Sequence, residues 1–228
     1  MKTILTIQNI VKTYKMRDGV VNALNDVCFT VNRGDFVSIT GPSGSGKTTL
    51  LLALSGLIRP TSGNILFENQ QLVGVTDKEL AEFRKKHVGF VMQNFSLIPY
   101  MTAIQNVMIP LGLNGKSSAE QKVQSSSVLE LVGLENRFNH FPRELSAGQQ
   151  QRVAIARALV NKPTIIFADE PTGNLDPLLS TEILAFLQKI NKELNITIMM
   201  VTHSPQAAEY GNVNIRLVDG KLLNRSTN

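Results

Sequence analysis

A single cysteine, Cys28, among 228 residues excludes an internal disulfide. It sits in the apolar stretch Val27-Cys28-Phe29, which predicts a buried thiol rather than a reactive one. Long hydrophobic runs are also missing. The longest candidate, residues 50–58, is interrupted by Ser55 and Gly56 and is too short to span a bilayer. The first residues alternate apolar and polar like a strand and lack the apolar core of a secretion signal, so the chain is expected in the cytoplasm. No internal repeat, low-complexity segment or recognised nucleic-acid motif is present. The net charge of +5 invites an anionic partner, but only Arg84-Lys85-Lys86 are clustered. That cluster reads as a solvated helix face, and nucleic acid is not an expected partner. With 43% hydrophobic and 18% charged residues, the composition is that of an ordinary globular protein. The length suffices for a sizeable core.

Against these absences stands Gly41-Pro42-Ser43-Gly44-Ser45-Gly46-Lys47-Thr48-Thr49. It matches G-x-x-x-x-G-K-[ST], the phosphate-binding loop. A chance match in a chain of this length is roughly a one per cent event. The β-rich Phe36-Val37-Ser38-Ile39-Thr40 precedes it, and a helical pattern from Thr48 to Leu54 follows. Gly41, Gly44 and Gly46 let the backbone bend and approach an anion closely. The amides from Ser43 to Thr48 then face the phosphates, helped by the helix dipole. Lys47 is placed to reach the β- and γ-phosphates of a nucleotide, and the Thr48 hydroxyl to bind Mg²⁺.

Residues 3–40 read as several strands turning at Asp18-Gly19 and Arg33-Gly34. Residues 62–74 read as a hairpin, and residues 76–86 as a helix with Thr76 as N-cap and Glu79 completing a capping box. A strand at residues 87–93 ends in Gln93, and residues 94–160 are largely helical in pattern. Two runs, at residues 164–168 and 196–201, are apolar throughout. Such runs predict strands buried on both faces, hence a parallel α/β sheet. Ligands of such sheets bind beyond the carboxyl ends of the strands. The phosphate loop, Gln93, Asp169-Glu170 and His203 all fall there, so they are expected to form one site.

Asp169 ends an apolar strand, as an Mg²⁺-holding acid does in phosphate-loop ATPases. Glu170 is a second carboxylate suited to act as general base for an attacking water. Gln93 suits orientation of that water or contact with Mg²⁺, and His203 suits a hydrogen bond to the γ-phosphate. His87 and His140 have no such companions and read as structural. Further along, Leu145-Ser146-Ala147-Gly148-Gln149 feeds a helical pattern through Leu159, a second helix N-terminus able to hold an anion.

Taken in order, these motifs resemble the ATPase subunit of an ABC transporter over almost the whole chain. Residues 41–49 match its Walker A motif, Gln93 the Q-loop, residues 145–149 the signature, and residues 165–169 the Walker B strand, with Glu170 following. Asn174-Leu175-Asp176 match the D-loop, His203 the switch histidine, and Tyr14 an aromatic that stacks on adenine. The resemblance implies an α/β fold, a phosphate-loop (RecA-like) core with an antiparallel β portion. It also implies a helical subdomain at about residues 94–158, within a single domain spanning 1–228. It implies two ATP, with Mg²⁺, bound in a head-to-tail homodimer, each between the Walker motifs of one copy and Ser146, Ala147, Gly148 and Gln149 of the other. The family usually has a second glycine where this chain has Ala147, and the added methyl is expected to cost the trans contact only modestly. Glu170 being present, both sites of a homodimer are expected to be competent.

The wording of residues 168–176, and of Phe95-Ser96-Leu97-Ile98-Pro99 with Thr102, Ala103, Asn106 and Val107, is similar to the macrolide-exporter and lipoprotein-release group. That group includes antimicrobial-peptide resistance transporters and a cell-division pair that signals without transport. The expected partner is a membrane permease that holds the subunit at the inner face of the cell membrane. The chain ends soon after Lys221-Leu222-Leu223, which fits a stand-alone subunit. The apolar stretch at residues 95–111 is divided between a permease-facing groove and the helical subdomain's own core.

Overall fold

The computed structural model describes residues 2–16 and 19–227. The turn expected at Asp18-Gly19 therefore falls partly on Asp18, outside the described residues. The chain opens with three strands, β1 (Thr3–Met16), β2 (Gly19–Asn32) and β3 (Phe36–Thr40), then α1 (Lys47–Leu54). A short hairpin, β4 (Ser62–Phe67) and β5 (Gln70–Gln71), leads to α2 (Asp77–His87) and β6 (Val88–Met92). Helices α3 (Ala103–Leu113), α4 (Ser118–Leu131) and α5 (Ala147–Leu159) follow. The chain closes with β7 (Ile165–Asp169), α6 (Pro177–Leu194), β8 (Thr197–Val201), the short α7 (Pro205–Ala208), β9 (Val213–Val218) and β10 (Lys221–Thr227).

Among the described residues these strands form two sheets. One is antiparallel, in the order β2-β1-β4-β5. The other runs β10-β9-β3-β8-β7-β6, parallel except for β10. The parallel sheet explains the two continuous apolar runs. Alternate residues of a strand face opposite sides, and both sides are covered. Ile165, Phe167, Met199 and Val201 join a core shared with α1, α2 and the antiparallel sheet. Their neighbours Ile166, Ala168, Ile198 and Met200 join a second core with α5 and α6. A third cluster, including Val107, Leu111, Leu129 and Val153, lies among α3, α4 and α5. Burying each Val, Leu, Ile, Phe or Met side chain among them contributes about 1.5–3 kcal/mol.

Local chemistry sets the helix ends. Thr76 caps α2 and Glu79 returns the bond, completing the expected capping box. Asp176 caps α6 through the Leu178 and Leu179 amides, Pro177 takes the first helical position, and Asn195 ends the helix in the left-handed region at φ 50°.

Cys28 departs from expectation: it is exposed. The antiparallel sheet buries one face only, so Val27 and Phe29 point inward and Cys28 between them points out. Its Sγ accepts the Asn9 amide at 3.0 Å. The basic cluster is likewise only partly a solvated face. Lys86 is exposed, but Arg84 turns in to donate to the Gly56 carbonyl at 2.6 Å. His87 is half-buried, its Nδ1 3.1 Å from Thr164 Oγ1, and burial pushes its imidazole pKa down. His140 lies 3.1 Å from Arg137. In the stretch at residues 95–111, Ala103, Ile104, Val107 and Leu111 go to the third core, while Tyr100 is 76% exposed.

Candidate functional site

The parallel strands deliver their carboxyl ends to one edge of the sheet. Gly41 follows β3, Gln93 follows β6, Asp169 ends β7, and His203 lies two residues past β8. Between them is a cleft of about 500 Å³, within the range of ligand sites. Ser43, Gly44, Gly46, Lys47, Thr48 and Thr49 form its floor, and Gln93, Asp169, Glu170 and His203 its wall. The four constellations expected to converge do so.

The remaining expected residues stand elsewhere. Gly41 and Ser45 support the loop from behind. A Cβ on Gly41 would lie 2.0 Å from the Leu217 carbonyl oxygen, and Ser45 is buried beneath the turn with its amide directed at Pro42 O, 3.3 Å away. Tyr14 pairs in register with Val21, which lines the cleft, and its ring carries Lys12 Nζ 5.1 Å from the centroid. None of Ser146, Ala147, Gly148 and Gln149 lines the cleft of its own chain. Instead Ser146 caps α5 through the Gln149 amide at 3.3 Å, and the Gln149 side chain accepts the Ser146 amide at 3.1 Å. Asp176 is engaged as the α6 cap.

Lys47 is 5% exposed and donates to the Gly41 and Pro42 carbonyls at 3.0 and 2.8 Å. Desolvation lowers its pKa, opposed by the charges of Glu170 and Asp169. Thr48 Oγ1 lies 3.2 and 3.3 Å from the two Asp169 oxygens. Desolvation raises the Asp169 pKa, opposed by this hydrogen bond and by Lys47. Glu170 has φ 48°, a left-handed conformation uncommon outside glycine. Its Oε2 accepts the His203 amide at 3.3 Å, and its Oε1 faces His203 Nε2 at 3.2 Å. Oε1 is buried without a hydrogen-bond donor, and desolvation raises the Glu170 pKa. A carboxylate raised by burial and aimed into a cleft suits proton abstraction.

Sequence reasoning missed part of the wall. Val21, Asn22 and Ala23 of β2 line the cleft, as does Asp219. Asp219 and Gly220, at φ 47° and 73°, form the tight turn between β9 and β10. Gly220 donates to the Ser45 carbonyl at 3.1 Å, and its own carbonyl accepts the Asn25 amide at 2.8 Å. An Asp-Gly pair after an apolar strand is a readable hairpin signal, but its docking on the phosphate loop is not local. Asn174, matched only to the D-loop in the sequence, also supports the wall: its Nδ2 donates to the Gln93 carbonyl at 2.9 Å.

The sequence profile described as "ABC transporter" matches residues 24–173. The ABC transporter ATP-binding protein YtrE of Bacillus subtilis is 46% identical over 208 residues, 91% of this chain and 90% of YtrE. The macrolide export ATP-binding/permease protein MacB of Syntrophobacter fumaroxidans is 44% identical over 221 residues. That match covers 96% of this chain but 31% of MacB, so the chain spans about a third of that relative's length. Among solved structures, the dimeric post-hydrolysis state of the ATP-binding cassette MJ0796 of Methanocaldococcus jannaschii, bound to ADP and Pi, superposes with a TM-score of 0.91 at 41% identity. It covers 98% of each chain. With phosphate loop, paired carboxylates and histidine in one cleft and these relatives beside it, the chain belongs to the ABC transporter family and is one of its ATPase cassettes.

Proposed function

We propose that this cassette pairs head to tail with a second copy, holds two ATP between the copies, and drives a membrane permease. The observation that carries the reading is a cleft equipped for phosphate and, apart from it, a helix N-terminus at Ser146 that does not line it. An anion cradle without an anion source in its own chain fits the γ-phosphate held by a partner copy. The dimeric state named for MJ0796 supports the pairing. In this reading the α3–α5 region, at about residues 94–158, is a helical subdomain with its own core, and exposed Tyr100 borders the permease groove. The cassette sits at the cytoplasmic face of the membrane through that permease. Among the described residues no helix is long and apolar enough to cross a membrane. The similarity to a macrolide export protein supports export or a related force-transmitting task.

Within the cleft, Lys47 exchanges the Gly41 and Pro42 carbonyls for phosphate oxygens, aided by the amides of Ser43 to Thr48. Tyr14 stacks on the adenine. The Thr48 hydroxyl and the Asp169 carboxylate, already 3.2 Å apart, are a hard-oxygen pair suited to Mg²⁺, which takes one or two protein carboxylates beside waters and substrate phosphate. Bound there, Mg²⁺ supplies charge neutralisation for the transferred phosphoryl group. Gln93 orients the attacking water and contributes to the metal's surroundings. Glu170 takes the water's proton, held by the His203 amide, while the His203 imidazole senses the γ-phosphate. Ser146, Ala147, Gly148 and Gln149 serve the partner's ATP, and Asp176 lies at the junction between copies.

Purified Glu170→Gln tests both parts. ATP affinity should be retained, turnover should fall about 10²–10⁴-fold as for loss of a general base, and ATP should hold the variant as a dimer in size-exclusion chromatography. Near-normal phosphate release would remove Glu170 from the base role. A monomer at saturating ATP would remove the pairing. Capture of a permease by the tagged variant from detergent-solubilised membranes would support the coupling, and soluble partners alone would oppose it.

A further inference from the structure

Three consecutive glutamines, Gln149 to Gln151, stand near the start of α5, about 100° apart around the helix, and each meets a different partner. Gln149 completes the cap with Ser146. Gln150 donates to the Leu145 carbonyl at 3.1 Å. Gln151 is fully buried and donates to the Pro171 carbonyl, the first carbonyl after Glu170. Its Oε1 has no hydrogen-bond partner. A methionine or leucine would fill similar volume without burying a half-satisfied amide, so the feature that explains glutamine here is its donor.

The turn it grips is strained. Glu170 is left-handed, its amide bonds to Val201 O at 3.0 Å, and its carbonyl accepts the Gly173 amide at 3.0 Å. Pro171, lacking an N–H, offers only its carbonyl to the interior. The far end of the segment also meets α5. A Cβ on Gly148 would stand 3.1 Å from Leu179 Cδ2, so this close approach suits a residue without a side chain. The first turn of α5 therefore abuts both Pro171 and the start of α6, with Ser146 only about 7.5 Å along the helix from Gln151.

We propose that Gln151 is a positioning residue: it holds the left-handed Glu170 turn in place and ties the location of Glu170 to that of the Ser146 turn at the head of the same helix. The proposal rests on the reading of Glu170 as the base. It predicts that removing the donor harms catalysis and spares binding.

The test uses the full chain with Gln151→Met, Gln151→Glu and, in parallel, Glu170→Gln, measuring ATP affinity, kcat and thermal stability. Gln151→Met should lower kcat about ten- to a hundredfold, the usual result of a small misplacement of a catalytic group, with ATP affinity retained. Gln151→Glu adds a readout that packing alone would not move. Its carboxyl donates to Pro171 O only when protonated, so its rate relative to the parent should climb as pH falls from about 9 to about 6. Parental kcat in Gln151→Met, or a Gln151→Glu ratio flat across pH, overturns the proposal. If Gln151→Glu does not fold, Gln151→Met decides alone. Turnover surviving in Glu170→Gln would instead defeat the base reading, whereas loss there with a parental Gln151→Met defeats only this inference.

Discussion

Replacing Glu170 by glutamine should stabilise the nucleotide-free protein while it stops turnover. The side chain is 15% exposed, its Oε1 is buried without a donor, and desolvation is the main cause of its raised pKa. A folded-state pKa above the unfolded one means that the ionised carboxylate opposes folding. The opposition is absent below the unfolded pKa and develops as pH rises through the folded one. The amide removes it. An amide NH₂ at the Oε1 position is also a donor facing His203 Nε2, now 3.2 Å from Oε1. One such bond contributes about 1 kcal/mol, which in a domain of this size raises Tm by about 2–4 °C. Calorimetry of both proteins without nucleotide should show the largest increment at about pH 8. It should shrink toward acid as the parent Glu170 takes up its own proton. An unchanged or lower Tm for the variant at about pH 8, or an increment independent of pH, would refute the assignment of burial cost to this carboxylate.

Thr48→Val removes the hydroxyl beside Asp169. Titration should show ATP affinity in Mg²⁺ falling toward its metal-free value, and a parental Mg²⁺ effect would take Thr48 out of the metal role. Tyr14→Ala should weaken ATP binding by about 1–3 kcal/mol, the worth of one base–aromatic stack, and an unchanged Kd would mean that adenine lies elsewhere. Leu187, fully buried in the second core, should cost about 2–5 kcal/mol when truncated to alanine, read from urea unfolding. A loss below about 1 kcal/mol would mean that α6 packs loosely on the sheet.

The parallel sheet was legible because β7 up to Asp169, and β8 after Thr197, carry apolar residues at consecutive positions, a pattern that only burial on two faces requires. Cys28 was misread because three apolar residues in a row looked like the same pattern. The polar residues at its parity, Asp26 and Thr30, are exposed with it and mark a one-sided strand. The cleft floor was legible because the phosphate loop is contiguous, and its carboxylate wall because strand ends are. Contacts joining distant segments left no periodicity to find. Gln151 meets Pro171 twenty residues on, and Arg157 donates to the Phe95 and Ser96 carbonyls at 2.8 and 2.6 Å from across the helical region. Phe95 and Ser96 are both left-handed, at φ 59° and 49°, so Arg157 supports the bend after Gln93 much as Gln151 supports the one after Asp169.

The alanine after the Ser146 cap shows how backbone geometry sorts alanine from glycine. Ala147 is the first residue of α5, directly after the Ser146 cap, and is not among the residues with positive φ. A helical first position accepts a methyl and favours alanine over glycine by helix propensity. The next residue has less latitude. Gly148 faces Leu179 at a distance where a Cβ forces its neighbour to give by a few tenths of an ångström. The turn therefore accepts a side chain freely at 147 and crowds one at 148 against Leu179, and the alanine stands at the position whose backbone has no need of glycine.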